Sequence, residues 1–171
     1  KPLLATGLTS KSGESLGFRT NGMAILDTGA SRSVIGEDNL PMLLGQLPIT
    51  VRNRVKDRAS RVAFRFGNNQ IEYSYKQIHI PIEFRKTRMW LIVEVVPKAT
   101  PFLLSIQTMR QLGAVIDLQK SSCHLKALNR NIPLHEAKTG LLMIRMQDLC
   151  NPEPNFESIF GASCEKRVSS L

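Results

Sequence analysis

No run of about 18 or more apolar residues occurs in the 171-residue chain, so no segment can span a bilayer as a helix. Cysteine is scarce. The three present, Cys123, Cys150 and Cys164, are odd in number and have no CxxC spacing. That argues against a disulfide framework and for a reducing, cytoplasmic compartment. The three histidines, His79, His124 and His135, are scattered, and no pair has zinc-ligand spacing. No metal and no cofactor is therefore expected. Lys1-Pro2-Leu3-Leu4 has no signal-peptide pattern and no initiator Met, which fits a piece of a longer polypeptide. No internal repeat is present.

The 42% hydrophobic content is enough for a core, and the length fits one domain, taken as residues 1–150. From Asn151 onward the composition shifts to Pro, Ser, Asn and charge, marking residues 151–171 as a tail. Phe156, Ile159 and Phe160 could dock as a short amphipathic segment, or the tail stays mobile.

Most of the chain reads as β. Residues 17–19 and 23–26 flank Thr20-Asn21-Gly22, whose Asn-Gly is a hairpin signal. Residues 61–66 and 70–75 flank Gly67-Asn68-Asn69, a second one. Strands are expected over 77–84 and, as a long apolar run, over 89–96. One helix is expected, with Ser105 as N-cap, Ile106, Met109 and Leu112 as its apolar stripe, and Gly113 at its end. Residues 114–118 then read as a buried strand, 123–128 as its hairpin partner, and 141–146 as one more strand. His79 alternates with Ile78 and Ile80 and should point away from them. Trp90 reads as core or interface.

The net charge is +9, and much of the excess is local: Arg52, Arg54, Lys56, Arg58, Arg61 and Arg65, offset by Asp57. On a strand, the alternation of the first four would put them on one face. Such a face attracts nucleic acid or acidic peptide. It also describes a solvated edge strand blunted by charge. The second reading is favoured, because no aromatic side chains interleave with the cations to stack on bases. Any nucleic-acid contact would run through residues 52–65.

Against this background one string stands out: Ala24-Ile25-Leu26-Asp27-Thr28-Gly29-Ala30-Ser31, with Val34-Ile35-Gly36 beyond it. A buried strand delivers an acid onto a tight turn. Burial disfavours the charged form, so such carboxylates usually do chemistry. Two carboxylates acting on one water can hydrolyse a peptide bond, the ionised one as general base and the protonated one as donor to the carbonyl oxygen. The chain has one such motif. Asp117, in Val115-Ile116-Asp117-Leu118, lacks a following Thr-Gly; Asp38 lies in a polar loop; Asp148 precedes Leu149 and Cys150. A dyad would need Asp27 of a second copy, which a twofold axis supplies.

At this point the chain resembles the retropepsins, the retroviral-type aspartic proteases, and especially those of LTR retrotransposons. The resemblance rests on three strings. The first is Ala24 to Ser31. The second is Phe64-Arg65-Phe66-Gly67-Asn68-Asn69, followed by Gln77-Ile78-His79-Ile80-Pro81-Ile82, similar to the flap hairpin and next strand. The third is Thr100-Pro101-Phe102-Leu103-Leu104-Ser105, continuing Met109-Arg110-Gln111-Leu112-Gly113-Ala114-Val115-Ile116-Asp117. It implies an all-β fold with one short helix per subunit, a closed acid-protease barrel, and an obligate twofold homodimer.

It further implies Asp27 as the catalytic carboxylate of each subunit, Thr28 bracing the two turns across the interface, and Gly29 contacting substrate backbone. Ala30 and Ser31 would line the cleft. Phe66, Gly67 and Asn68 would lie on the lid, and Leu103 and Leu104 would form apolar pockets for an extended polypeptide. The function implied is an aspartic endopeptidase that processes a retroelement polyprotein. Two departures support an alternative, a dimerisation or peptide-binding module with weak or lost catalysis. Ser105-Ile106-Gln107 stands where the family has Gly followed by Arg, and the lid tip has only Gly67. Residues 141–146 could supply an intersubunit sheet.

Overall fold

The computed structural model describes a two-residue strand, β1 (Leu3–Leu4), and residues 20–151. The expected strand at 17–19, the tail from residue 152 and Cys164 lie outside the described residues. β2 (Met23–Asp27) starts from the Asn-Gly turn, where Asn21 and Gly22 both take left-handed backbone (φ 47° and 77°) and Met23 N donates to Thr20 O at 2.8 Å. Asn and Gly tolerate that region, which is why the turn falls there. β3 (Val34–Gly36), α1 (Leu40–Gln46) and α2 (Ile49–Arg52) follow, then the short strand β4 (Lys56–Ala59). β5 (Ala63–Arg65) and β6 (Ile71–Tyr73) form the second expected hairpin, with Phe64 opposite Glu72.

β7 (Lys76–Phe84) and β8 (Thr87–Val96) are the longest strands and pair antiparallel along their whole length. Their period of two is plain: Ile78, Ile80, Ile82 and Phe84 meet Leu91, Val93 and Val95 in the core. Pro81, which has no N–H to give, falls past the end of the β4–β7 pairing at His79. β9 (Leu103–Ser105) leads straight into α3 (Ile106–Leu112). β10 (Ala114–Asp117), β11 (Ser122–Leu125) and β12 (Arg130–Pro133) make a three-stranded meander. β13 (His135–Glu136), β14 (Leu142–Arg145) and α4 (Met146–Cys150) complete the described chain.

The fold is mostly β with a few short helices. The main sheet has eight strands in the order β13-β14-β2-β9-β3-β8-β7-β4, beside the sheets β1-β5-β6 and β10-β11-β12. Among the described residues the main sheet has two ends, at β13 and β4, so the expected barrel closure is not seen. One large apolar cluster spans Ile80, Leu91, Leu104, Leu112, Leu125 and Ile144. A smaller one joins Ile25, Val34, Phe64, Val96, Leu103 and Met143. It ties the β5–β6 hairpin to the strand carrying Asp27.

Several expectations are corrected. Among the described residues four α-helices occur where one helix was expected. α1 contains Pro41 and Gly45 and has poor intrinsic propensity, but burial of Leu40 and Leu43 holds it. Residues 114–118 are not buried: Val115 is 45%, Ile116 37% and Leu118 68% exposed, because β10 pairs with β11 alone. β14 is paired on both edges, with β13 and β2, so it has no free edge for an intersubunit sheet.

Nor do the four alternating cations share a strand. Arg52 ends α2 and donates to Gly45 O (2.9 Å) and Leu47 O (3.2 Å), and Arg54 binds Glu83. Only Lys56 and Arg58 lie in β4, an exposed edge strand. Aromatic partners do stand near this segment, since Lys56 lies over Trp90 and Arg61 over Tyr73. Trp90 itself is 40% exposed rather than core.

Gly36 marks a close backbone approach. Its N–H donates to Thr100 O at 2.8 Å, and a Cβ there would stand 2.3 Å from both Lys98 O and Thr100 N. Gly36→Ala is expected to destabilise the fold by ~1–3 kcal/mol through overpacking. A urea midpoint equal to wild type would contradict that apposition.

Candidate active site

Asp27 is the last residue of β2, whose apolar body is buried between β14 and β9. The pairing with β9 is parallel and sets Asp27 opposite Ser105. The chain then turns. Gly29 N donates to Asp27 Oδ1 at 2.9 Å, and Ala30 N donates to Asp27 O at 3.2 Å. Ala30 is 1% exposed, and its carbonyl accepts Ile106 N at 3.0 Å, fixing the turn to the start of α3. Thr28 and Gly29 remain exposed, while Asp27 and Ser31 are half-buried.

Beneath the turn lies a hydroxyl cluster that sequence reasoning missed. Ser33 Oγ is 3.3 Å from Ser105 Oγ and 3.0 Å from Thr108 Oγ1, and the latter two are 3.2 Å apart. Ser105 N donates to Ser33 Oγ at 3.0 Å, and Thr108 N donates to Ser105 Oγ at 3.2 Å. Ser33 and Ser105 are buried, so each bond replaces water that cannot reach them. The expected cap at Ser105 thus forms, and Gly113 ends α3 in the left-handed region (φ 60°). The signal for Thr108 was its place three residues after the cap. Ser33 had none, because its partners are 72 and 75 residues away in sequence.

Burial raises the Asp27 carboxyl above its ordinary value of 3.8, and the Gly29 and Ala30 N–H groups pull the other way. Burial dominates, so ionisation of Asp27 is harder in the folded chain than in the unfolded one. The two described cysteines offer no competing nucleophile. Both are buried; burial pushes the Cys150 thiol up to about 12 and raises that of Cys123.

The other predicted site residues fall into two groups. Phe66, Gly67 and Asn68 sit at the tip of the β5–β6 hairpin, where Asn69 N donates to Phe66 O and Gln70 N to Asn68 Oδ1. Phe66 stacks on Phe64 at 6.3 Å, and Phe64 packs with Ile25 and Leu103. Leu103 and Leu104 are 6% and 1% exposed and sit in the two cores of this protomer. His79 lies beside Trp90 on the outer face of β7 and β8, as its alternation implied. Among the described residues no three His, Cys, Asp or Glu side chains converge on a metal position, and no helix is long and apolar enough to cross a membrane.

The raised Asp27 pKa has a defined sign in stability. Ionising the carboxyl costs more in the folded than in the unfolded chain. Wild type therefore loses stability as pH rises above 3.8 and through the folded value, and loses none below 3.8. Asp27→Asn keeps an acceptor for Gly29 N and cannot ionise. Its melting temperature should exceed that of wild type at neutral pH and converge with it on acidification; thermal scans across pH test this. A variant less stable than wild type at pH 7 would contradict burial as the dominant cause.

No family model and no curated protein matches the chain. Among solved structures, the chain is similar to the retroviral protease-like domain of Ddi1 from Leishmania major, at 17% identity and a TM-score of 0.40, over 64% of this chain and 81% of that one.

Proposed function

We propose that the chain is an aspartic endopeptidase of the retropepsin type, active as a homodimer in which two Asp27 carboxylates activate one water. The observation that carries this reading is Asp27 itself: half-buried, raised in pKa, and held on a turn clamped to α3. Two such acids facing each other share a proton, so one serves as base and the other as acid. Ser105 does not obstruct this. Its hydroxyl is taken up by Ser33 and Thr108, beneath the turn. Thr28 and Gly29, exposed beside Asp27, are free to meet the second turn and the substrate backbone. The β5–β6 hairpin, anchored on Ile25 through Phe64, acts as the lid over an extended polypeptide. The substrate is a retroelement polyprotein, and the protease works in the cytoplasm.

β10 supports the dimer. Among the described residues it is paired on one side only, and it carries Val115, Ile116 and, just beyond, Leu118, all exposed. Burying such side chains between two copies contributes ~25 cal/mol per Å² of apolar surface.

Wild type and Asp27→Asn, incubated with a peptide library and followed by mass spectrometry, decide the catalytic reading. Cleavage is expected from wild type, with a bell-shaped pH dependence belonging to the pair, and none from the variant. Cleavage that survives in Asp27→Asn would sink it. Binding of peptide by wild type with no turnover would establish the peptide-binding module instead. Ile116→Glu tests the interface: it is expected to fold, to sediment as a monomer and to lose cleavage. A fully active monomer would refute the shared site.

A further inference from the structure

Behind the catalytic turn lies a cavity of about 410 Å³. Ser31, four residues past Asp27, and Ser105, its register partner, both line it. Glu94 lies in its wall, a charge inside the apolar run Leu91-Ile92-Val93-Glu94-Val95-Val96. Glu94 is 1% exposed. Its Oε1 has one long contact, 3.4 Å from Arg32 Nη1, and its Oε2 has no partner among the described residues. Ser31 Oγ, a second acceptor on the same cavity, is also buried without a partner. A buried carboxylate this poorly matched is a net cost to the fold unless a cation with well-placed donors completes it. Nearer solvent the lining is mixed, with Trp90 40% and Ile92 44% exposed beside the exposed amides of Gln107 and Gln111.

We propose that this cavity is a subsite for a basic side chain of a peptide, its aliphatic stem on Trp90 and Ile92 and its cationic head on Glu94. An ammonium has three donors and a compact charge, which suits two acceptors without partners in one cavity wall. Lys56 Nζ stands 4.9 Å from the Trp90 ring centroid, so the ring already carries one cation, and the incoming stem would use the part of Trp90 that lines the cavity. Arg32 is the competitor. Its side chain is 53% exposed and held by the one long contact, so the incoming ammonium takes its place rather than adding a second charge. Assigning the side chain to a substrate rests on the protease reading. The preference of the cavity for a cation does not.

Trp90 is the single tryptophan of the chain, so its fluorescence reports on this cavity. Wild type and Asp27→Asn would be titrated with Nα-acetyl-lysine methylamide and with the norleucine analogue, which keeps the stem and lacks the charge. The lysine probe is expected to bind at least ~10-fold more tightly in both proteins, and Glu94→Gln to bring the two probes within about twofold. Arg32→Ala should tighten lysine binding by removing the competitor, whereas an ion pair with a purely structural role predicts no gain. Equal response to the two probes in wild type overturns the proposal even if Glu94→Gln fails to fold. So does lysine binding that survives Glu94→Gln. Among peptides cleaved by wild type, lysine should be enriched at one fixed position. If no peptide is cleaved, the protease reading falls and the titration still decides the cavity.

Discussion

A carboxylate can act on a defined water only if the turn that carries it does not move, and this turn is held from below. The parallel pairing of β2 with β9 sets Asp27 beside Ser105, and Ile106 N reaches back to Ala30 O. The hydroxyls of Ser33, Ser105 and Thr108 then join the far side of the turn to the first turn of α3. A net contribution of ~1 kcal/mol per bond is modest, but breaking one would leave a buried donor or acceptor unpaired, at about 1–3 kcal/mol. That asymmetry gives rigidity. Ala30 must be small because it is buried under the same clamp. α3 must begin where it does because its cap is also the anchor of the turn.

The clamp also changes what Ser105 means. In the sequence it stands where the resemblance leads one to expect Gly and, soon after, Arg, and it looks like an intrusion into a cleft. In three dimensions its side chain faces inward and caps α3. A cluster of three short hydroxyls does the bracing that a long cation could otherwise do. It does so without introducing a charge beside the Asp27 carboxyl. A fixed positive charge there would favour ionisation of Asp27 and oppose the effect of burial.

Local chemistry made part of this legible. The Asn21-Gly22 turn, the Ser105 cap, the Gly113 stop and the period of two in β7 and β8 depend on neighbours in sequence, and all of them formed. What failed depended on long-range pairing. The alternation of Arg52, Arg54, Lys56 and Arg58 suggested one strand face. The helix α2 and the bond from Arg54 to Glu83 took half of it away. The apolar run of β10 read as core because hydrophobicity does not say whether a strand has one neighbour or two. Ser33 was silent because its partners come from distant segments, whereas Glu94, an acid inside an apolar run, was legible and passed over. The Asp27 turn was legible because an acid at the end of an apolar strand is a local contradiction, and local contradictions survive in sequence.

In the proposed dimer the exposure of β10 and the raised pKa of Asp27 have a common origin. In a single protomer burial outweighs the N–H groups of Gly29 and Ala30 and raises the pKa. In the proposed dimer a second carboxyl arrives at the same place, and repulsion between two ionised forms adds to the burial with the same sign. The pair then keeps one proton over a wider pH range than either acid would alone. Association and protonation are therefore linked. Acidification to the singly protonated state removes repulsion from the interface, and dimerisation in turn holds the proton that the chemistry needs. The apolar contacts of β10 have to outweigh that repulsion at neutral pH. A strand of exposed Val115 and Ile116 costs solubility in the free chain, and the half-site at Asp27 gives a physical reason for keeping it.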